Sequence, residues 1–572
     1  MRRAWWRSSL TGVLAGFLVG ATALGACTRS ASQDAAQVVA DPAMQRLLQH
    51  IPADTPYAFI GMGNKSAGST RDFIARVYAP VQKLMPQIEA KLGTLGTLGL
   101  TPDKEALARA VIDELKGRLS ADGLAELGFD IDGRFAIYGL GMLPAMRLQL
   151  RDPAALRAAI DRVQAASGVR FPTDKLGEVE YWPIADGNGK VGAAVAIVGD
   201  QLVAGMAPAA LKDRVFALLL GNERPARHLG NSEGFQALLT EYGLARLSAG
   251  FVDSRVIAEA FLGEGDALNK DTLAALAPEV AARWPELGAT CKQEIRSLVA
   301  LSPRVVFGTE QMDADGYAGK FVVELRRDIA QELMTMRTTV PGLDIESTRG
   351  AVFALGAGFD VERALNFALA RATAIQAAPY RCPALADINK GADDVITEIK
   401  GPEPEVWKLR GFATVVDDIK LAGMVPTEIR GFMSFAYTDT KTLVNKLGPL
   451  IKQPLADDGT VTALPDGTIP FLNNMHYGMQ PGRGGVVAIG NDSQARAASL
   501  LRFSPPADPP LLVVVYDMGR LGEIMKQVLD SLGTQKEDMA IVTDFYQAMG
   551  AITYDARASE RGVEIHTQMG MK

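Results

Sequence analysis

The sequence predicts an α+β protein made of two tandem copies of a mixed module, with mainly antiparallel sheets and packed helices. Three observations carry this reading. Short β-branched or alternating runs are joined by Gly/Asp turns, which suit hairpins and are too short for parallel crossovers. Strand-like runs ending in Asp pass directly into amphipathic, often alanine-rich segments, with the Asp placed to cap a helix. Blocks with these features recur in one order along both halves of the 572 residues.

The first copy opens with a strand in Thr55–Met62. Arg147–Ile160 ("RLQLRDPAALRAAI") is a strand followed by a helix capped by Asp152, with Pro153 in its first turn. Glu178–Ile184 and Ala193–Val198 flank a glycine-rich turn. Gly187-Asn188-Gly189-Lys190-Val191-Gly192 fits the G-x-G-x-x-G spacing of dinucleotide-binding loops. That function needs a helix N-terminus after the glycines to stabilise phosphate charge. The next run is short, apolar and β-branched, so it reads as the second strand of a hairpin. No nucleotide or other cofactor is expected. A helix in Ala207–Leu219 comes next, then a strand–Asp–helix unit in Ala249–Phe261. The helix Lys292–Leu301 and a wide hairpin in Arg304–Leu325 complete the copy.

The second copy repeats the order. Gly350–Phe359 opens it, and Ser434–Leu447 matches Arg147–Ile160 with Asp439 as the cap. Gly484–Ser493 ("GGVVAIGNDS") matches Gly192–Gln201 ("GAAVAIVGDQ"), and Ser493–Phe503 is an alanine-rich helix. Val513–Met525 matches Ala249–Phe261. The helix Asp538–Met549 and the hairpin Gly550–Met569 close the chain. The copies are placed at 50–328 and 345–572, with a linker at 329–344. A solenoid is disfavoured, because the period far exceeds 50 residues. Pairing Val195 with Val487 and Asp253 with Asp517 requires 28 extra residues in the first copy. Their expected place is Leu219–Leu244, as a surface loop plus one short helix.

Net charge is −7, and the first 26 residues hold Arg2, Arg3 and Arg7 with no acid, which leaves −10 on the remainder. The remainder has no basic cluster, so nucleic acid is not an expected partner. The three arginines precede an apolar run, Leu10–Leu24, that is too short for a comfortable membrane span. Leu24-Gly25-Ala26-Cys27 then resembles the lipobox of bacterial lipoprotein signal peptides. The resemblance implies that 1–26 is a signal peptide and that Cys27 is acylated. It also implies that 27–49 is the lipidated Cys with a flexible tether. Anchoring to the membrane would then run through N-terminal acyl chains, stable with two or more of them. The residue after the Cys is Thr28 rather than Asp, which by the same resemblance places the protein at the outer membrane, facing the periplasm. An ordinary cleaved signal peptide with a chance Cys, a signal anchor, and twin-arginine export remain alternatives. The order of strands, helices and Gly-Asp hairpins also resembles, loosely, an uncharacterised family of duplicated exported bacterial proteins, which supplies no activity.

Two further cysteines, Cys291 and Cys382, fall one in each copy. Export to an oxidising compartment permits a disulfide between them, and two buried free thiols are the alternative.

No residue earns a catalytic or metal-binding role from the sequence. His50, His228, His476 and His566 show no metal-ligand spacing. His476 has Asp457-Asp458 upstream, a base with a carboxylate or simply a strand histidine. Asp313–Gly316 begins like a calcium loop, but Tyr317 fills a ligand position, so a hairpin turn is expected. Asp393-Asp394 and Asp417-Asp418 read as solvated helix-end or turn acids. Met142, Met146, Met312, Met475 and Met479 suit either core packing or an apolar pocket. The expected role is therefore non-catalytic binding or scaffolding at the cell envelope. A carrier or chaperone for an apolar ligand, such as a lipid or lipoprotein, is the alternative, and an envelope hydrolase a third.

Overall fold

The computed structural model describes residues 31–63, 70–76, 101–185, 189–399, 405–451, 453–468, 472–504, 506–532, 546 and 549–571. The signal segment and Cys27 lie outside them, as does most of the expected helix Asp538–Met549. The protein is α+β, and every strand pair formed among the described residues is antiparallel.

Nine strands form the first sheet: β1 (Tyr57–Met62), β2 (Arg134–Leu140), β3 (Leu143–Gln149), β4 (Asp174–Leu176), β5 (Val179–Ala185), β6 (Val191–Val198), β7 (Gln201–Pro208), β8 (Ser248–Asp253) and β9 (Arg304–Asp313). Their order is β4-β5-β6-β7-β3-β2-β1-β8-β9. The helices of this half include α1 (Ala31–Ala40), α2 (Pro42–Leu48), α3 (Pro153–Ser167), α4 (Lys212–Leu220), α5 (Glu233–Tyr242), α6 (Ser254–Phe261) and α7 (Ala289–Val299). One face of the sheet carries small side chains, among them Ala58, Ala136, Ala145, Ala194 and Val203, all fully buried. Small residues let helices approach closely, and the core continues into Met44, Leu47 and Leu48 of α2, Val215 and Leu219 of α4, and Phe235 and Leu239 of α5.

The strands on either side of the glycine-rich stretch pair as the sequence predicts. β5 and β6 pair with Trp182 opposite Val195 and Ile184 opposite Ala193, so Ala193–Val198 is strand and offers no helix end to a phosphate.

Ten strands form the second sheet: β10 (Gly316–Glu324), β11 (Phe353–Gly358), β12 (Leu409–Ala422), β13 (Val425–Tyr437), β14 (Val461–Leu464), β15 (Met475–Gln480), β16 (Gly484–Ile489), β17 (Leu512–Asp517), β18 (Met549–Ser559) and β19 (Gly562–Met571). Their order is β10-β19-β18-β17-β11-β12-β13-β16-β15-β14. The helices of this half include α8 (Ala386–Ile399), α9 (Thr440–Ile451), α10 (Ser493–Leu501) and α11 (Met518–Leu532). The core of this half gathers Ala354, Ala413, Val415, Phe432, Val486, Val513 and Val515 from the sheet, with Ala497, Leu500 and Leu501 from α10.

The predicted caps form. Asp152 accepts from the amides of Ala154 and Ala155, Asp253 from Arg255 and Val256, Asp439 from Thr442, and Asp517 from Arg520. Each such cap contributes about 1 kcal/mol.

Four expectations are corrected. The segment 27–49, expected as a flexible tether, is helical from Ala31 onward, because Met44, Leu47 and Leu48 make an apolar stripe that the core buries. The Gly192–Gln201 and Gly484–Ser493 strands lead into different elements. β16 leads to α10, whereas β6 turns at Gly199 (φ 59°) into β7, and β7 leads to α4. The chain between Leu219 and Leu244, expected as a surface loop with one short helix, contains the helix α5, which buries Phe235, Leu238, Leu239 and Tyr242 rather than lying on the surface. Asp417 and Asp418 sit in strand β12 beside a bulge, where they ion-pair with Arg496 and Arg520.

His50 comes just after α2 and is only 8% exposed. Burial, then the charges of Arg147, Arg224 and His228, push its pKa down from 6.5 to about 3. The unfolded chain therefore takes up a proton between those values that the folded chain refuses. This contribution to stability is complete above pH 6.5 and falls as pH drops towards 3, by about 1.4 kcal/mol per pH unit. On going from pH 7.5 to pH 5, the wild type should lose about 2 kcal/mol more of its urea-unfolding stability than His50→Gln loses. Equal losses in the two proteins would refute this origin.

Candidate binding cleft

Where the chain enters the second sheet, the segment after residue 336, the start of β12, the turn between β15 and β16, and the end of α10 surround a cleft of about 380 Å³. Its lining carries Arg337, Arg410 and Arg483 and, among the described residues, no acidic side chain. Ala436, Leu500, Leu501, Phe503 and Pro509 supply an apolar floor.

Each arginine is placed by local structure. Arg410 begins β12; its Nε reaches Asp360 at 3.1 Å, its Nη2 reaches Glu362 at 2.8 Å, and its Nη1 donates to the Trp407 carbonyl at 2.7 Å. Asp360 is itself held by the Arg363 amide at 3.0 Å. Arg337 bonds to Asp508 and to the Met334 carbonyl. Asp508 is shared with Arg557 at 3.3 Å. Arg483 lies exposed in the β15–β16 turn and donates to the neutral amide oxygen of Gln480 at 3.2 Å. Gly484, at φ 131°, starts β16 so close to β13 that a Cβ would lie 1.9 Å from the Phe435 carbonyl oxygen. That approach fixes the turn carrying Arg483 against the cleft. Two guanidiniums are thus held by carboxylates, and the third meets a neutral partner.

The residues singled out in the sequence do not converge on this cleft. Cys27 lies outside the described residues. The sulfurs of Cys291 and Cys382 lie at disulfide distance with Cα atoms 4.5 Å apart, in a cluster with Leu385, Leu298 and Tyr380. Glu294 of α7 accepts from the amides of Arg381 and Cys382, so α7 is fastened to the chain leading into α8. His476 is not paired with Asp457 or Asp458. Its Nδ1 lies 2.8 Å from Ser493 Oγ, while Asp457 accepts from Thr440 and Asp458 from the Thr460 amide. Ser493 is 1% exposed at the start of α10, so this pair ties half-buried His476 of β15 to a helix. Asp313 accepts from the Asp315 amide in a turn between β9 and β10. Met475 and Met479 are buried in β15, whereas Met142, Met146 and Met312 lie elsewhere in the first half.

From the sequence no G-x-S-x-G nucleophile elbow is expected, yet Gly230-Asn231-Ser232-Glu233-Gly234 fits that spacing. A nucleophile elbow needs a sharp strand-to-helix turn. Here a 3₁₀ turn at Leu229–Asn231 precedes α5, and Ser232 has ordinary extended torsions (φ −98°, ψ 120°). The cleft itself was missed because its residues are separated by up to 172 positions, from 337 to 509. Comparison with protein families, curated proteins and solved structures finds no match to the chain.

Mass spectrometry of unreduced peptides should recover Cys291 and Cys382 joined. The bridge would close a loop across a separation of 91 residues, worth roughly 4–5 kcal/mol on the chain-entropy account. Two freely alkylated thiols in protein from an oxidising compartment would exclude it.

Proposed function

We propose that this chain is a lipid-anchored cell-envelope protein on the periplasmic side, with a non-catalytic binding or scaffolding role, built as two copies of one module. The observation that carries the binding reading is the cleft: a small-molecule-sized space with an arginine rim and an apolar floor. The apolar floor also keeps open the carrier reading, in which the ligand is a lipid or lipoprotein segment.

Strand order supports the duplication. Reading the first sheet from β4 to β9 and the second from β14 to β19, β5 falls on β14, β6 on β15, β7 on β16, β3 on β13, β2 on β12, β1 on β11, β8 on β17 and β9 on β18. β4 in the first sheet, and β19 and β10 in the second, are the outer additions. In this matching Leu219 and Leu220 of α4 correspond to Leu500 and Leu501 of α10.

The anchor rests on Leu24-Gly25-Ala26-Cys27. Cys27→Ala should abolish palmitate incorporation in cells and leave an uncut precursor; palmitate entering the variant would reject the assignment. The binding role is tested apart from the anchor, by native mass spectrometry of the full chain extracted from envelopes in mild detergent. A retained ligand or partner is expected, and a bare chain that turns over an envelope substrate would replace binding with catalysis.

A further inference from the structure

The second half has an opening where the first half is filled. Leu219 and Leu220 are packed in one cluster with Phe235, Leu238 and Leu239 of α5. That helix belongs to the long connection 221–247 between α4 and β8. The corresponding connection from α10 to β17 is only 502–511, with no helix in its described residues. The cleft stands beside Leu500 and Leu501 in its place.

We propose that this cleft binds a small amphiphilic anion, with a carboxylate or phosphate gripped at the arginine rim and a short hydrocarbon tail laid on the leucine floor. The inference rests on the binding reading above and names its ligand class. Asp508, Asp360 and Glu362 neutralise Arg337 and Arg410 from behind the lining, which leaves Arg483 as the lining guanidinium that meets a neutral partner instead of a carboxylate. Arg483 is the gripping residue. An incoming anion displaces only the neutral Gln480 amide from it and can accept two parallel N–H bonds from its fork. Leu500, Leu501 and Phe503 give the same space apolar surface for a tail. Size decides against a partner helix. A ten-residue helix such as α5 is about 15 Å long and about 10 Å across, several times the cleft's volume.

The test uses the full chain with octanoate, octyl phosphate, octanol and inorganic phosphate as probes. Calorimetry gives affinities, and peptide mass spectrometry tracks phenylglyoxal labelling of Arg483. Octanoate or octyl phosphate should bind, protect Arg483, and weaken as salt rises. Whichever of the two binds more tightly identifies the headgroup as carboxylate or phosphate. Arg483→Gln should weaken binding about ten-fold or more with an unchanged melting temperature, and Arg483→Lys by less. Octanol binding as tightly as octanoate, with Arg483→Gln silent, would overturn the anion while leaving a binding cleft. Inorganic phosphate matching octyl phosphate would overturn the tail. No binding and no protection by any probe would overturn the site, and retention of an envelope partner would still be judged by the mass-spectrometric experiment on extracted protein. Protection of Arg483 by a peptide of residues 233–242, with none by octanoate, would replace the small molecule with a helix.

Discussion

The architecture depends on one pairing. β10 follows β9 across a short turn and joins the second sheet. It pairs along its whole length with the last strand, from Gly316 opposite Gly570 to Glu324 opposite Gly562. Lys320 and Glu564, 3.1 Å apart and largely buried, lie across the same pair. Phe307 of β9 stacks on Phe321 of β10, with ring centroids 6.2 Å apart, and Phe307 in turn meets Phe59, which meets Phe135. An aromatic row therefore runs from the middle of the first sheet to the first strand of the second. Without β19, β10 would present an open row of N–H and C=O groups, the kind of edge that recruits other chains. The cysteine pair makes a second joint close by in sequence, since α7 immediately precedes β9.

The face opposite the aromatic row explains how the helices sit. Alanines and valines on that face leave room for helix backbones, and the bulk of the core comes from the helices themselves. In the first half this room is taken by α2, α4 and α5. In the second half Val340 and Leu343 of the linker and α10 do the same with less chain. A shorter connection after α10 leaves less side-chain volume to fill the space. The cleft stands beside that short connection, with arginines from strand starts and turns in its lining.

Much of the local structure was legible. Asp before an amphipathic run gave four helix starts, because the side chain must satisfy free amides and few residue types do so. The β5–β6 hairpin was readable from β-branched runs about glycine. The strand after Gly199 was harder. Gly-Asp and Gly-Asn turns occur at both 199–200 and 490–491, and a turn signal does not say whether a strand or a helix comes next. The tether reading weighed the polarity of residues 28–42 and not the Met44, Leu47, Leu48 stripe beyond. Asp417 and Asp418 read as solvent acids because their partners, Arg496 and Arg520, lie 79 and 102 positions away. The pairing of β10 with β19 and the arginine cleft share this reason. Both are made by residues far apart in the chain, where periodicity and turn chemistry carry no information.

The early start of folded structure has a consequence for posture. If the acyl chains sit on Cys27, only Thr28, Arg29 and Ser30 separate them from the first residue of α1. Four residue steps span at most about 14 Å. α2, docked by Met44, Leu47 and Leu48 and by the 2.8 Å pair of Asp41 with Arg134, gives that leash no slack to borrow. The protein would then stand on the bilayer by its N-terminal helices, as a foot rather than as a balloon on a string. Its orientation towards the membrane would be set by the fold, and the arc it could sweep for a partner would be little wider than its own body.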